Sequence, residues 1–157
     1  PPAVGRVVEQ GEGGRRVVVV PAYTCPLVAW AVAHCGLELR LCDLAPASID
    51  FDATLLARIC DRDVLAIVPT HLAGRIADVD SAIAIARDVG AFVIEDAAQA
   101  LGARRHGRSV GVDGDVGFFR LAGGQGLPHC EGAVLASAVA PVRAAAPRWP
   151  ARRKASR

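Results

Sequence analysis

An acid pair and an amide, Glu95, Asp96 and Gln99, stand where a short apolar run, 91–94, predicts the end of a strand. In open α/β sheets, ligands bind beyond the carboxyl ends of the strands, so an acid and an amide three residues apart mark a candidate binding site there. A second interpretation stays open. Glu95 and Asp96 would cap a following helix, because acidic residues favour helix N-termini.

The elements that must position these residues alternate between short β-rich runs and helical periods, which is typical of a parallel sheet covered by helices. The expected fold class is therefore α/β, with three layers and a mostly parallel sheet. Strands are predicted at 17–20, 37–42, 64–68 and 91–94, helices at 26–34, 52–59 and 79–89, and a hairpin-like end at 133–136, after a Gly-rich region at 102–126.

Composition and charge exclude several classes of protein. The 157 residues are 52% hydrophobic and 4% aromatic, which suits one α/β core. The formal charge of +2 is too small to indicate nucleic-acid binding. No apolar run approaches the ~20 residues of a membrane span, and the first residues lack a signal-peptide layout, so no membrane partner and a cytoplasmic location are expected.

Five cysteines with irregular spacings show neither a Cys-x-x-Cys nor a Cys/His ligand pattern, so reduced thiols and no metal site are expected. The predicted organisation is a weakly structured arm at 1–16, one domain at 17–137 and an Ala/Pro/Arg-rich tail at 138–157. The basic end of that tail, 148–157, is interpreted as solvated and disordered rather than as a nucleic-acid or membrane patch.

A series of motifs follows in order along the domain: Val20-Pro21-Ala22-Tyr23-Thr24, Asp43, 68–74, 93–100, Gly114-Asp115 and Glu131-Gly132. Together they resemble the DegT-type (DegT/DnrJ/StrS) sugar aminotransferases, which use pyridoxal phosphate (PLP) to aminate keto-sugars. The resemblance implies that 17–137 is part of a fold-type I large domain. It also implies a truncated chain, because members of that family are considerably longer.

The resemblance implies a site for PLP or pyridoxamine phosphate (PMP). Asp96 takes the place of the carboxylate that keeps the pyridine nitrogen protonated, so that the ring can act as an electron sink. Gln99 would bring its amide to the ring hydroxyl, and Thr24 follows the first strand near the ring. His71 is expected to pack behind the cofactor rather than transfer protons, and Arg120 stands where relatives have a phosphate-holding serine.

The same resemblance places Gln125 at the position of the Schiff-base lysine, counting from Asp115 without a gap. An amide cannot form the imine and is not a useful base at neutral pH, so no intact catalytic residue is predicted. The only lysine, Lys154, lies in the tail, which lacks the packing that preorganises catalytic groups. Residues 1–16 also lack the small-residue segment with which relatives cradle the phosphate.

Three functions are therefore considered. The first is an aminotransferase of nucleotide-linked keto-sugars, for polysaccharide or secondary-metabolite sugars, that uses an amino donor and is catalytically impaired. The second is a sugar dehydratase, in which histidine replaces the lysine, although His129 comes four positions late. The third is a non-enzymatic partner subunit, since the family builds its sites across a homodimer interface and a homo- or hetero-oligomer is expected. The loop 123–126 lacks the Gly-x-Gly-x-x-Gly order of a dinucleotide site.

Overall fold

Short strands alternate with helices along the chain in a computed structural model that describes residues 14–121, 132–137 and 139. The helices are α1 (Pro26–His34), α2 (Ala53–Ile59) and α3 (Val79–Val89). The strands are β1 (Val17–Pro21), β2 (Glu38–Cys42), β3 (Val64–Ile67), β4 (Phe92–Asp96), β5 (Arg104–Arg105), β6 (Arg108–Ser109), β7 (Val116–Arg120) and β8 (Ala133–Ser137).

Six of the strands form one sheet in the spatial order β2-β1-β3-β4-β7-β8. Neighbouring strands from β2 to β7 run parallel, and β8 is antiparallel to β7. Because parallel neighbours end at the same edge, β1, β3, β4 and β7 bring their carboxyl ends side by side. The mostly parallel α/β sheet predicted from the sequence is confirmed.

The core has two layers, one on each face of the sheet, because successive residues of a strand point to opposite faces. Val18 and Val20 of β1 pack toward α1 on one face. Val17 and Val19 pack toward α2 and α3 on the other face. A run of four consecutive valines is thus the sequence of a strand that is covered on both sides.

Local signals fix the helix bounds. Asp52 caps α2, with its side chain accepting hydrogen bonds from the N–H groups of Thr54 and Leu55. Asp78 caps α3 in the same way, and α3 stops at Gly90, whose φ of 73° is left-handed. The bounds of α1 and α3 match the predictions, and α2 begins one residue later because Asp52 is the cap.

The end of β4 differs from the sequence-based expectation. The strand continues two residues past position 94 and ends at Asp96, which pairs with Thr70 in a parallel bridge. Residues 97–100 form a turn, in which the Ala100 N–H donates to the Ala97 carbonyl at 3.1 Å. No helix follows anywhere in 97–115. The helix-capping interpretation of Glu95 and Asp96 is therefore wrong.

The Gly-rich region, for which no strand or helix was predicted, contains three strands in its described part, β5, β6 and β7. Arg104 to Ser109 form a two-stranded hairpin, β5–β6, around His106 and Gly107, whose φ values of 48° and 77° suit a tight two-residue turn. Arg105 ties this hairpin to Asp80 at the start of α3 and to Asp113.

Some predictions fall outside the described residues. These include Gln125, His129, Lys154, Cys130 and the greater part of both terminal arms. The other four cysteines are free thiols. Within the described ranges, no helix is long and apolar enough to cross a membrane, and no group of three side chains is arranged to hold a metal ion.

The close approach of two glycines gives a test of the fold. A Cβ added at Gly117 would lie 1.9 Å from the carbonyl oxygen of Gly111, so Gly117→Ala forces the two segments apart. We expect the free energy of unfolding in urea to fall by about 3 kcal/mol. Gly74→Ala is the control: its Cβ meets nothing within 4 Å, so it loses only about 1–2 kcal/mol for its positive φ. Equal losses would contradict the close approach.

Candidate functional site

The side chain of Asp96 lies at the carboxyl end of β4 and is almost completely buried, with 3% of the residue exposed. Its Oδ1 accepts a hydrogen bond from the Ala98 N–H at 3.0 Å. No described residue donates to its Oδ2. Burial raises the pKa of Asp96 above its ordinary value, and the bond from Ala98 offsets this only in part. The sheet edge therefore presents a buried acid with one oxygen available.

Two threonines lie beside this acid on the same edge. Thr70 follows β3 and bridges Asp96, and its hydroxyl lies 3.4 Å from the hydroxyl of Thr24, which follows β1. A small open pocket adjoins Thr70, between the loops that follow β2 and β3. The predicted site residue Thr24 is thus connected to Asp96 through a single intervening residue.

Gln99 links two loops of the edge. Its side-chain Oε1 accepts a hydrogen bond from the Ala73 N–H at 3.0 Å, which joins the turn after β4 to the loop after β3. Within the described part of the chain, its amide nitrogen has no hydrogen-bond acceptor. The structure therefore gives Gln99 a structural contact that the sequence did not indicate, and its contact with a cofactor stays a prediction.

Arg120, another predicted site residue, is exposed at the carboxyl end of β7. It lies opposite Ala133 of the antiparallel β8. Since β7 is the parallel neighbour of β4, Arg120 and Asp96 end adjacent strands at the same edge. The proposed contact between Arg120 and a phosphate stays a prediction.

The sequence analysis gave Glu95 no role beyond helix capping, but in the structure its carboxylate is buried and has several hydrogen-bond partners. Its Oε1 accepts hydrogen bonds from the N–H groups of Asp113 (2.7 Å) and Gly114 (2.6 Å). Its Oε2 accepts from the N–H of Gly111 (2.8 Å) and lies 3.1 Å from the Nε2 of His71. We call Glu95, His71 and these three N–H groups the Glu95 cluster. The partners of Glu95 lie 16 to 24 residues away in sequence, so no local sequence pattern predicts these hydrogen bonds.

The charge of Glu95 is well compensated. Burial by itself raises the pKa of this carboxyl group, but the hydrogen bonds from His71 and from the N–H groups of Gly114, Gly111 and Asp113 outweigh burial and hold the pKa below its ordinary value. Glu95 therefore stays ionised inside the fold, unlike an isolated buried acid. The two adjacent acids of the motif have opposite pKa shifts, since Asp96 accepts only one such bond.

His71 lies beneath the edge and has no exposed surface. Its Nδ1 accepts a hydrogen bond from the Ala77 N–H at 3.0 Å, so this nitrogen carries a lone pair. The proton of the neutral ring is then on Nε2, which donates to Glu95. Both ring nitrogens are used within the protein. This geometry suits a residue that supports the site from behind, and its contact with a cofactor stays a prediction.

Comparison with known proteins assigns the family. Residues 6–137 match the DegT/DnrJ/EryC1/StrS aminotransferase family. The chain belongs to this family. It is 35% identical over 129 residues to GDP-perosamine synthase of Caulobacter vibrioides. The aligned residues make up 82% of this chain and 35% of that protein. It is 38% identical over 122 residues to a UDP-N-acetyl-3-dehydro-alpha-D-glucosamine 3-aminotransferase of Acidithiobacillus ferrooxidans, covering 73% of this chain and 30% of that one.

Two solved structures have the same fold as this chain. The aminotransferase of Psychrobacter cryohalolentis superposes with a TM-score of 0.77 at 27% identity, covering 89% of this chain and 36% of that one. DesV of S. venezuelae gives a TM-score of 0.80 at 27% identity, with coverage of 90% and 39%. The chain thus spans about a third of the length of the relatives that it matches.

Membership of this aminotransferase family implies PLP or PMP as the cofactor. The residues at the carboxyl edge fit this group. The buried Asp96 has an oxygen that no described residue engages, and a protonated pyridine nitrogen is a donor that would satisfy it. The fit rests on this acid, because the position of the family lysine, Gln125, lies outside the described residues.

The pKa of Glu95 predicts how stability depends on pH. Since the folded-state pKa lies below the ordinary value of 4.5, the stabilisation from Glu95 is complete above that pH and is lost as the pH falls through the folded-state pKa. We expect Glu95→Gln to lower the free energy of unfolding by about 3 kcal/mol at neutral pH, and the deficit to shrink below about pH 4.

Urea titrations of both proteins over a pH series measure this difference. Asp96 contributes with the opposite sign, because its raised pKa favours proton uptake by the folded state. A deficit that is the same at every pH would show that Glu95 acts through packing rather than through its charge.

Proposed function

We propose that this chain forms the cofactor-binding part of a nucleotide-sugar aminotransferase, that it holds PMP or PLP reversibly, and that it does not transaminate by itself. The observation that carries the proposal is the buried Asp96 carboxylate, with an available oxygen, at the carboxyl edge of the family's sheet. The proposed substrates are an amino donor and a nucleotide-linked keto-sugar, which the names of the similar proteins support.

When bound, the cofactor supplies a ring that withdraws electrons from the substrate carbon. The contribution of this chain is the environment of that ring. An ionised Asp96 stabilises a proton on the pyridine nitrogen, and its burial excludes the water that would compete for that proton. Thr24 and Thr70 add hydroxyl groups beside the acid, and Arg120 provides a cation for the phosphate at the end of the adjacent strand.

The proposed lack of turnover rests on Gln125. By its position after Gly114-Asp115, this residue replaces the lysine that links the cofactor to the protein and moves the proton at the substrate carbon. A neutral amide does neither. Loss of a general base alone costs ~10²–10⁴ in rate, so a chain with this substitution binds the cofactor without efficient catalysis.

Reversible binding is tested with PMP and PLP on the purified chain. We expect PMP to bind, PLP to be removed by desalting, and borohydride treatment to leave no PLP-modified residue by mass spectrometry. Asp96→Asn should weaken PMP binding about tenfold or more in calorimetry, because the amide no longer favours the protonated ring nitrogen. The same substitution should leave thermal stability unchanged or higher, since it removes a buried charge.

Asp61→Asn is the matched control for this test. It makes the same chemical change at a half-exposed carboxylate that pairs with Arg40, away from the carboxyl edge. PMP affinity should therefore be unchanged. Equal PMP affinity in wild type and Asp96→Asn would contradict the proposed interaction between Asp96 and the ring nitrogen. A residue covalently modified by PLP would contradict the reversible mode.

A role as a partner subunit is the second candidate, and the surface of α1 favours it. Leu27 and Trp30 of this helix are 58% and 61% exposed, and Tyr23, just before it, is 62% exposed. A helix that is apolar on its outer as well as its inner face is normally covered on both sides. We propose that a second subunit, either another copy or a longer relative, covers this surface.

Self-association tests the part of this proposal that concerns copies of the chain. The double variant Leu27→Glu, Trp30→Glu should shift the protein toward monomer in sedimentation velocity, because two charges would have to be buried without partners. Leu41→Glu is the control, since Leu41 is equally exposed at 57% but lies on the edge strand β2. A wild-type chain that is monomeric at all concentrations would contradict the pairing of identical copies.

A further inference from the structure

Glu95 and His71 both adjoin Asp96, yet neither side chain reaches the open edge. Their side chains are 1% and 0% exposed, respectively. Since successive residues of a strand point to opposite faces, the Glu95 carboxylate is directed away from that of Asp96 and toward the loop at 111–114. Any effect of Glu95 on the site must therefore pass through the backbone.

That backbone connection is short and specific. The His71 N–H donates to the Asp96 carbonyl at 2.9 Å, and the Asp96 N–H donates to the Pro69 carbonyl at 2.9 Å. These two bonds hold the last residue of β4 against the segment that follows β3. The His71 ring is fixed at both nitrogens, by Ala77 and by Glu95, so its backbone has little freedom to move away from Asp96.

We infer that Glu95 and His71 form a positioning pair, which holds the Asp96 carboxylate at the cofactor edge without touching the ligand. The role of Asp96 toward the cofactor rests on the proposed function, whereas the positioning itself is a property of the protein alone. The pair works with a neutral imidazole, because Nδ1 accepts from Ala77 while Nε2 donates to Glu95. No proton transfer through His71 is needed.

A nearby acid provides a matched control. The Asp115 Oδ2 accepts a hydrogen bond from the Val93 N–H at 2.8 Å and so anchors the beginning of β4. It has no hydrogen bond to His71 or Asp96 among those of the described residues. Asp115→Asn therefore weakens the same strand without acting on the positioning pair, and it separates a general loss of stability from a specific loss of position.

The first test needs no cofactor. In Glu95→Gln, a side-chain NH2 group faces backbone N–H donors that now lack an acceptor. We expect amide hydrogen exchange at His71 and Asp96 to accelerate about tenfold or more relative to the amides of β1. In Asp115→Asn this ratio should stay at the wild-type value. If hydrogen exchange accelerates uniformly across the chain, the positioning role of Glu95 and His71 is overturned and only a contribution to overall stability remains.

Two histidine variants extend the test to milder changes, in case Glu95→Gln does not fold. In His71→Gln, the longer amide side chain can place an N–H donor near the position of Nε2 and donate to Glu95. In His71→Asn, the shorter amide side chain reaches only the position of Nδ1, where its oxygen can accept from the Ala77 N–H. We expect exchange at Asp96 to be slower in His71→Gln than in His71→Asn. The reverse order would overturn the inference.

The second test links the pair to the cofactor. Glu95→Gln should weaken PMP binding in the wild-type background and have no further effect in Asp96→Asn, because the pair acts only through Asp96. Additive losses would overturn that link. If wild type binds no PMP but exchange changes selectively at His71 and Asp96, the proposed function fails and the positioning role stands.

Discussion

The buried carboxylate of Glu95 is the constraint on which the candidate site depends. A charge taken out of water is tolerated only when hydrogen-bond donors surround it, and four donors do so here. Three of them are backbone N–H groups of one loop, at buried or part-buried positions, and Glu95 supplies their acceptor. The acid and the loop therefore satisfy each other's hydrogen-bonding groups.

This mutual dependence also explains the glycines of that loop. For its N–H groups to reach Glu95, the loop must lie close against β4 and β7. A Cβ on Gly111 would meet the ring of Phe119 at 2.6 Å, and a Cβ on Gly114 would meet the Val93 carbonyl at 2.9 Å. Glycine is thus required by packing distance at these positions, where the loop lies close enough for Glu95 to accept its N–H groups.

Much of the framework could be predicted from the sequence because its signals are local. The cap at Asp78 and the left-handed stop at Gly90 bound α3, and the valine run of β1 indicates a strand covered on both faces. These signals also placed Asp96 at the correct edge of the sheet. The position of the acid therefore follows from the order of strands and helices.

The rest was missed because its causes are not local. Strand β4 was predicted to end before Glu95 and Asp96, since acids are depleted in strands, but distant backbone donors stabilise Glu95 there. Strand β7 contains Gly117, which weakens the strand pattern although the sheet needs it. The hairpin turn at His106-Gly107 lacks the commoner Asn-Gly or Asp-Gly signature.

The unmatched oxygen of Asp96 has a consequence for the chain without its ligand. A carboxyl group whose folded-state pKa is raised binds a proton more readily in the folded protein than in the unfolded chain, so folding and proton uptake are coupled at this site. A cation that pairs with this carboxylate favours its ionised form. The apparent affinity of the site for a cation therefore rises with pH until the acid is fully ionised.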